Sequence, residues 1–316
     1  MKYCIGADVG GTSIKLGAVD EQGELLLKWE TKTRKGDNGK LFLKDIADDI
    51  MDAIGSHEKL KHGELLGVGL DVPGPVLPNG YVDLCPNLGV REIYPAKELS
   101  KLIGGIPVRI ANDANAAALG EMWQGAGKGH GSICMVTLGT GVGGGIVSEG
   151  HILYGSHGAG GELGHMRVDD TETENCNCGG RGCLEQYASA TGIARVARRM
   201  LDKSDEDSGL RAIKDISAKD VCDLAKAGDE LALKALSYSM DRLSYALSLV
   251  AITTDPEVFV VGGGVSKAGD ILIELIKKGL ANYQSLIGAD RYEVALAELG
   301  NDAGIYGAAK LMFPEK

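Results

Sequence analysis

The chain has 316 residues, 47 of them glycine, and a formal net charge of −11 at pH 7. That length favours two domains over a single core, and the acidic balance argues against nucleic acid or an anionic membrane as partner. Ordinary apolar content with mixed charge argues against a disordered or fibrous chain, and no run approaches the ~20 apolar residues of a membrane span.

The opening, MKYCIGADVGG, places Asp8 where the apolar core of a secretory signal would lie, so no signal peptide is expected. Residues 3–7 read as a strand running into a tight turn, Asp8 to Thr12. Residues 14–19 and 24–31 read as two further strands, joined by a turn at Asp20 to Gly23. A polar connection, 32–39, leads to a helix over 41–54 with Leu43, Ile46, Ile50 and Ile54 on one face. A buried strand over 65–71 ends in the proline-stiffened loop PGPVLPNG. A strand over 108–111 ends at Asn112-Asp113 and is followed by an alanine-rich helix, 114–122.

A second domain is expected to begin near 121–131. Its strand at 133–138, glycine turn at 139–145 and return strand at 145–148 repeat the layout of residues 3–19 at an offset of 130, which reads as a weak internal duplication. Helices are expected over 191–201, after the capping box Ser217-x-x-Asp220, and over 229–252, where Asp255-Pro256 stops the chain. A strand at 258–261 runs into Gly262-Gly263-Gly264. A helix over 269–282, a strand over 292–297 and a helix over 302–312 complete the chain. The alternation indicates an α/β fold with mixed sheets.

Several of these turns carry chemistry. Gly10, Gly11 and Thr12 offer amide N–H groups and a hydroxyl to phosphate oxygens. Lys15 follows on the next strand, and Asp8 can organise Mg²⁺ through water. Gly139, Thr140 and Gly141 offer the same a second time. Gly262, Gly263 and Gly264 at a strand end either admit an adenosine or simply make a tight turn. Asp113 is either the cap of the helix it opens or a general base for a substrate hydroxyl.

Between Glu162 and Glu185 lie Cys176, Cys178 and Cys183, spaced C-x-C-x4-C among glycines, with His165 just upstream. Three thiols and an imidazole match the four-ligand preference of structural Zn²⁺. A disulfide plus a free thiol is the alternative, disfavoured because Cys176 and Cys178 are too close in sequence to pair easily. Glu162, His165 and Glu185 suit the hydroxyls of a polyol. Cys4, Cys85, Cys134 and Cys222 are scattered singly, as in a reducing cytoplasm.

The motifs DVGGTSIK (8–15), ANDANA (111–116), LGTGVGGG (138–145), ELGH (162–165) and CNCGGRGCLE (176–185) together resemble the ROK family of sugar kinases, over nearly the whole chain. The resemblance implies a two-domain actin/hexokinase-like (ribonuclease H-like) ATPase fold. It implies a smaller domain of residues 1–120 joined by the last helix, 302–316, a larger domain of 121–301 with the zinc loop, and an ATP and sugar cleft. It also implies Asp113 as catalytic base, Asn112, Asp113, Glu162, His165 and Glu185 as sugar partners, and His165, Cys176, Cys178 and Cys183 as zinc ligands. The chain looks most like the ATP-dependent glucokinases of that family, with loops 73–75 and 86–89 similar to their sugar-side loops; a homodimer is what the family suggests. Val90 departs from the tryptophan many of them carry, which leaves room for another hexose. ROK repressors place a DNA-binding segment before the first strand, which here starts at residue 3, so no nucleic-acid partner is expected.

Overall fold

The computed structural model describes residues 1–283 and 288–313; the end of the expected 302–316 segment, residues 314–316, lies outside them. In chain order the elements are β1 (Lys2–Val9), β2 (Ser13–Asp20), β3 (Leu25–Lys32), α1 (Lys40–Ser56), α2 (Glu58–Lys61), β4 (Glu64–Val72), β5 (Val82–Cys85), β6 (Val90–Ile93), α3 (Pro95–Leu102), β7 (Val108–Asn112) and α4 (Asp113–Gln124). Then come β8 (Ile133–Leu138), β9 (Val142–Ser148), β10 (His151–Ile152), α5 (Glu185–Ala188), α6 (Ala190–Leu201), α7 (Ala218–Lys226), α8 (Glu230–Thr254), β11 (Val258–Gly262), α9 (Asp270–Tyr283), β12 (Glu293–Leu296) and α10 (Ala303–Lys310). The glycine turn expected over 139–145 is shorter than the sequence suggested. β9 already begins at Val142, because glycines fit a buried strand where a neighbouring backbone comes close. The hairpin β5–β6 and helix α3 are additions to the expected elements.

Two sheets order their strands alike, β3-β2-β1-β4-β7 and β10-β9-β8-β11-β12. That shared order is the structural content of the internal repeat. The chain falls into two units, one of Met1–Gly131, Gly145–Gly161 and Glu298–Lys316, the other of Ser132–Gly144 and Glu162–Ala297.

In the first unit β1 pairs antiparallel with β2 and parallel with β4, which pairs parallel with β7. Helix α1 buries Phe42, Leu43, Ile46 and Ile50 in a core with Ile5, Leu16 and Leu70. Helix α10 packs against β1, β4 and α4. It lies so close that a Cβ at Gly6 would sit 2.0 Å from the Ile305 oxygen, and one at Gly69 would sit 1.7 Å from the Ala308 oxygen. Buried Glu121, at the end of α4, accepts from the amides of Ala126, Glu298 and Leu299, and so fixes the segment leading to α10.

In the second unit β11 pairs parallel with both β8 and β12. The capping box at Ser217 and Asp220 forms in both directions and starts α7. Asp229 caps α8, and Asp255 ends it with φ 42°, just before Pro256. Helix α9 meets α8 at Gly279, where a Cβ would lie 2.3 Å from the Ser244 hydroxyl oxygen.

Candidate active site

Within the first unit, β1 ends in a turn closed by the Gly10 amide donating to the Ser13 carbonyl at 3.0 Å. A Cβ at Gly10 would stand 2.8 Å from that same oxygen, so glycine is required there. Asp8 faces Lys15 across β1 and β2, with Nζ 3.4 Å from Oδ2. The Thr33 hydroxyl donates to the Gly10 carbonyl at 2.6 Å and steadies the turn.

This turn borders a hollow of about 350 Å³ lined by Asp8, Gly10, Gly11, Thr12, Lys35, Pro73, Asn87 and Asp113. The structure thus gathers Asp113 with the first glycine turn. It adds Asn87, from the loop 86–89 likened to a sugar-side loop, and Lys35, to which sequence reasoning gave no role. Lys35 sits in a run of mixed charge, KTRKGDNGK, that reads as solvated connection, and only the fold turns it toward Gly11, whose Cβ would meet its Nζ at 3.7 Å.

Asn112 and Asp113 divide the work of the helix start. Asn112 is the cap: its Oδ1 accepts from the amides of Ala114 at 3.0 Å and Asn115 at 3.1 Å. Its Nδ2 donates to the Gly74 carbonyl at 3.1 Å and to Asp113 Oδ1 at 2.9 Å. Asp113 is therefore the first residue of α4 and not its cap, which corrects that reading. Its carboxylate is exposed at the positive end of the helix, where negative charge is favoured.

Behind Asp8 lies Asp71, its register partner on β4. Asp71 is fully buried and neither carboxyl oxygen has a hydrogen-bond partner of good geometry, the Val9 amide being a minor influence. Burial, and then the charges of Asp8 and Asp113, push its pKa well above the usual carboxylate range.

In the second unit, ligand atoms of His165, Cys176, Cys178 and Cys183 all lie within 4.8 Å of one another. The sulfurs of Cys178 and Cys183 are 3.7 Å apart, and all three thiols are free, so no disulfide forms. Two thiolates on one tetrahedral ion, each at about 2.3 Å, would stand about 3.8 Å apart. The group therefore suits a metal ion. The Gly180 amide donates to Cys178 Sγ at 3.4 Å and draws that thiol's pKa down, while burial pushes Cys183 up to about 12.

Glu185 opens α5 and is half-buried. Its Oε2 accepts from the Val142 amide at 3.3 Å, and a Cβ at Gly141 would lie 2.3 Å from that oxygen. The fold therefore brings Glu185 to the second glycine turn. The Gly139 and Thr140 carbonyls of that turn accept from the Ala190 amide at 2.8 Å and the Thr191 hydroxyl at 2.9 Å. Glu162 is exposed, its Oε2 4.0 Å from His165 Nε2. Gly263 has φ 83°, and a Cβ there would lie 2.6 Å from the Leu138 backbone, so a tight turn is enforced; Gly264 has open space around it.

The cysteine loop is braced by Glu172, whose side chain is 2% exposed. It accepts from Arg195 at 2.8 Å, from Arg199 at 2.8 and 3.1 Å, and from the Tyr187 hydroxyl at 2.9 Å. Arg199, opposed by burial and aided by the Glu174 amide, holds the Glu172 carboxyl well below its usual range.

A model of the ROK family matches residues 4–315, and the chain belongs to that family. It is 43% identical to a glucokinase of Halalkalibacterium halodurans over 98% of this chain and 95% of that one. It is 38% identical to a glucokinase of Thermotoga maritima over 98% and 96%. Its fold is similar to that of a ROK family glucokinase from Streptomyces griseus in complex with glucose and AMPPNP, with TM-score 0.72, 33% identity and 98% of each chain covered.

Glu172→Gln should lower stability by about 2 kcal/mol at neutral pH, because Arg195 and Arg199 lose a buried partner. Since the folded carboxyl is the stronger acid, this stabilisation is present above the ordinary value of 4.5 and is lost as pH falls below it. Thermal unfolding from pH 7 to pH 4 checks this: the gap between wild type and variant should narrow on acidification, and a gap that stays constant or widens would contradict the assignment.

Proposed function

We propose that this chain is a hexose kinase that transfers the γ-phosphoryl group of ATP to glucose, giving glucose 6-phosphate. The observation that carries the reading is the hollow of the first unit. It holds a phosphate-type glycine turn and the exposed Asp113 carboxylate together, in a chain 43% identical to a glucokinase over nearly its full length.

Phosphoryl transfer asks for positioning, charge neutralisation and a base for the attacking hydroxyl. Asp113 is the proposed base, accepting the proton of the sugar hydroxyl as the new O–P bond forms. Asn112 holds Asp113 in place through its Nδ2 contact. Gly10, Gly11 and Thr12, with Lys15 and Lys35 nearby, offer donors and positive charge to phosphate oxygens. Gly139, Thr140 and Gly141 are proposed as a second phosphate turn, and Gly262, Gly263 and Gly264 as the adenosine contact. Asp8, half-buried at the edge of the hollow, suits a water-held Mg²⁺, which neutralises phosphate charge when bound.

Asn112, Glu162, His165 and Glu185 are the proposed hydroxyl partners. His165, Cys176, Cys178 and Cys183 are proposed to hold a structural Zn²⁺, which keeps the loop carrying Glu162 and Glu185 in one shape. Val90 is 2% exposed and belongs to the hydrophobic core, so the departure from tryptophan reads as a change of packing. The chain is further proposed to act as a homodimer in the cytoplasm without a nucleic-acid partner. Its net charge of −11 supports the last point, and no helix among the described residues is long and apolar enough to cross a membrane.

ADP release from MgATP, followed over glucose, mannose, fructose, allose, N-acetylglucosamine and N-acetylmannosamine, tests the substrate. Glucose should be turned over at a typical kinase rate of about 1–100 s⁻¹. Preference for another sugar would move the substrate, and rates equal to the sugar-free blank would end the kinase reading. The zinc proposal is tested by metal analysis of the purified protein. About one zinc per chain is expected from a closed four-ligand site, with most of it lost, and the melting temperature lowered, in Cys178→Ser. A zinc-free protein of unchanged stability would remove the metal.

A further inference from the structure

Among the buried carboxyls of the first unit, Asp20 and Glu121 each accept from backbone amides, whereas Asp71 has no comparable set of donors and the proposed reaction leaves it unused. It sits on β4 directly beside Asp8 on β1, and its neighbour across the other edge is Ala111 on β7. On the third side is helix α10, where a Cβ at Gly304 would meet Asp71 Oδ2 at 2.9 Å and Asp8 Cγ at 3.1 Å. No cation contacts Asp71 among the described residues. Of the two lysines in this corner, Lys15 pairs with Asp8 from the β2 side and Lys35 lines the hollow.

An ionised carboxylate at that position would have at most the Val9 amide for its two buried oxygens and would stand beside two further negative charges, a costly arrangement. A protonated acid solves it. One oxygen becomes a donor, and the acceptor presented to it along the strand pair is the Asp8 carboxylate. Asp8 is then held from both sides, by Lys15 on the β2 side and by Asp71 on the β4 side, while it borders the hollow.

We propose that Asp71 is a positioning residue, a neutral carboxylic acid whose hydroxyl donates to the Asp8 carboxylate and so orients Asp8 toward the phosphate-binding turn. It touches no substrate. It acts through Asp8, so its effect falls on the nucleotide side of the reaction and leaves the sugar side alone. A second consequence concerns the site's charge: one proton kept on Asp71 limits the negative charge beside a polyphosphate to Asp8 and Asp113. The proposal rests on the kinase reading for its kinetic consequence and on geometry alone for the protonated acid.

Two substitutions separate the donor from the shape. Asp71→Asn keeps an N–H donor and the outline of the neutral acid; Asp71→Leu keeps the outline and has no donor. The leucine variant should lose about tenfold in kcat/KM for MgATP, the worth of one well-placed hydrogen bond, with the KM for glucose unchanged. The asparagine variant should recover most of that loss. Infrared spectroscopy of the folded protein at neutral pH should show the carbonyl band of a protonated carboxylic acid that disappears in Asp71→Asn. Leucine and wild-type enzymes with equal kcat/KM for MgATP would overturn the positioning role, and so would an asparagine variant as impaired as leucine. Absence of the acid band from wild type would overturn the protonated state. If wild type turns over no sugar, the kinase reading fails by itself, and the infrared result still decides the state of Asp71.

Discussion

The constraint on which the first unit depends is the near-contact of one helix backbone with two strand backbones. Helix α10 reaches β1 at Gly6 and β4 at Gly69 with no side chain between them, and α4 meets it at Gly120 and Gly307, where Cβ atoms would lie 2.2 Å from the Ala303 oxygen and 1.7 Å from the Ala116 oxygen. A methyl group at any of the four would force the layers apart, and interiors packed at crystal density resist that. The close layer has a chemical result. It leaves no space over the ends of β1 and β4 for water to reach Asp71, while Asp8 and Asp113 still open to the hollow. One helix placement thus produces two carboxyl environments on neighbouring strands, one dry and one wet, and carboxyls in such contrasting settings take different protonation states.

The second unit solves a different problem. Its cysteine loop has little regular structure, and such loops are costly to hold in one conformation. Two devices oppose that cost. The His165, Cys176, Cys178 and Cys183 set can be closed by one ion, and the Glu172 cluster with Arg195, Arg199 and Tyr187 pins the loop to helix α6. Glu185, at the end of the loop, then has a fixed place against Gly141 and the Val142 amide.

Much of this was legible in the sequence because the signals are local. The strand–turn–strand openings, the Ser217 and Asp220 capping box and the Asp255-Pro256 stop each depend on a few adjacent residues. The cysteine spacing belongs to the same class. What was not legible depends on distant chain. Asp71 reads as the polar end of a strand, and only the arrival of α10, more than 200 positions later, makes it a buried acid. Lys35 reads as solvated charge until the fold turns it to Gly11. Asn112 and Asp113 are both good helix caps by type, and the choice between them was made by Gly74, whose carbonyl accepts from Asn112. Hairpin β5–β6 was missed because its strands are only four residues long, too short for alternation to register.

The central claim is that Asp113 acts as a base on a bound sugar. The most direct measurement pairs two experiments on Asp113→Asn: glucose binding by calorimetry, and single-turnover phosphoryl transfer with MgATP. Removing the base while keeping the shape and the hydrogen bonds predicts glucose affinity close to wild type and transfer slowed by ~10²-fold or more. Transfer at the wild-type rate would contradict the account and return Asp113 to a purely structural place at the start of α4.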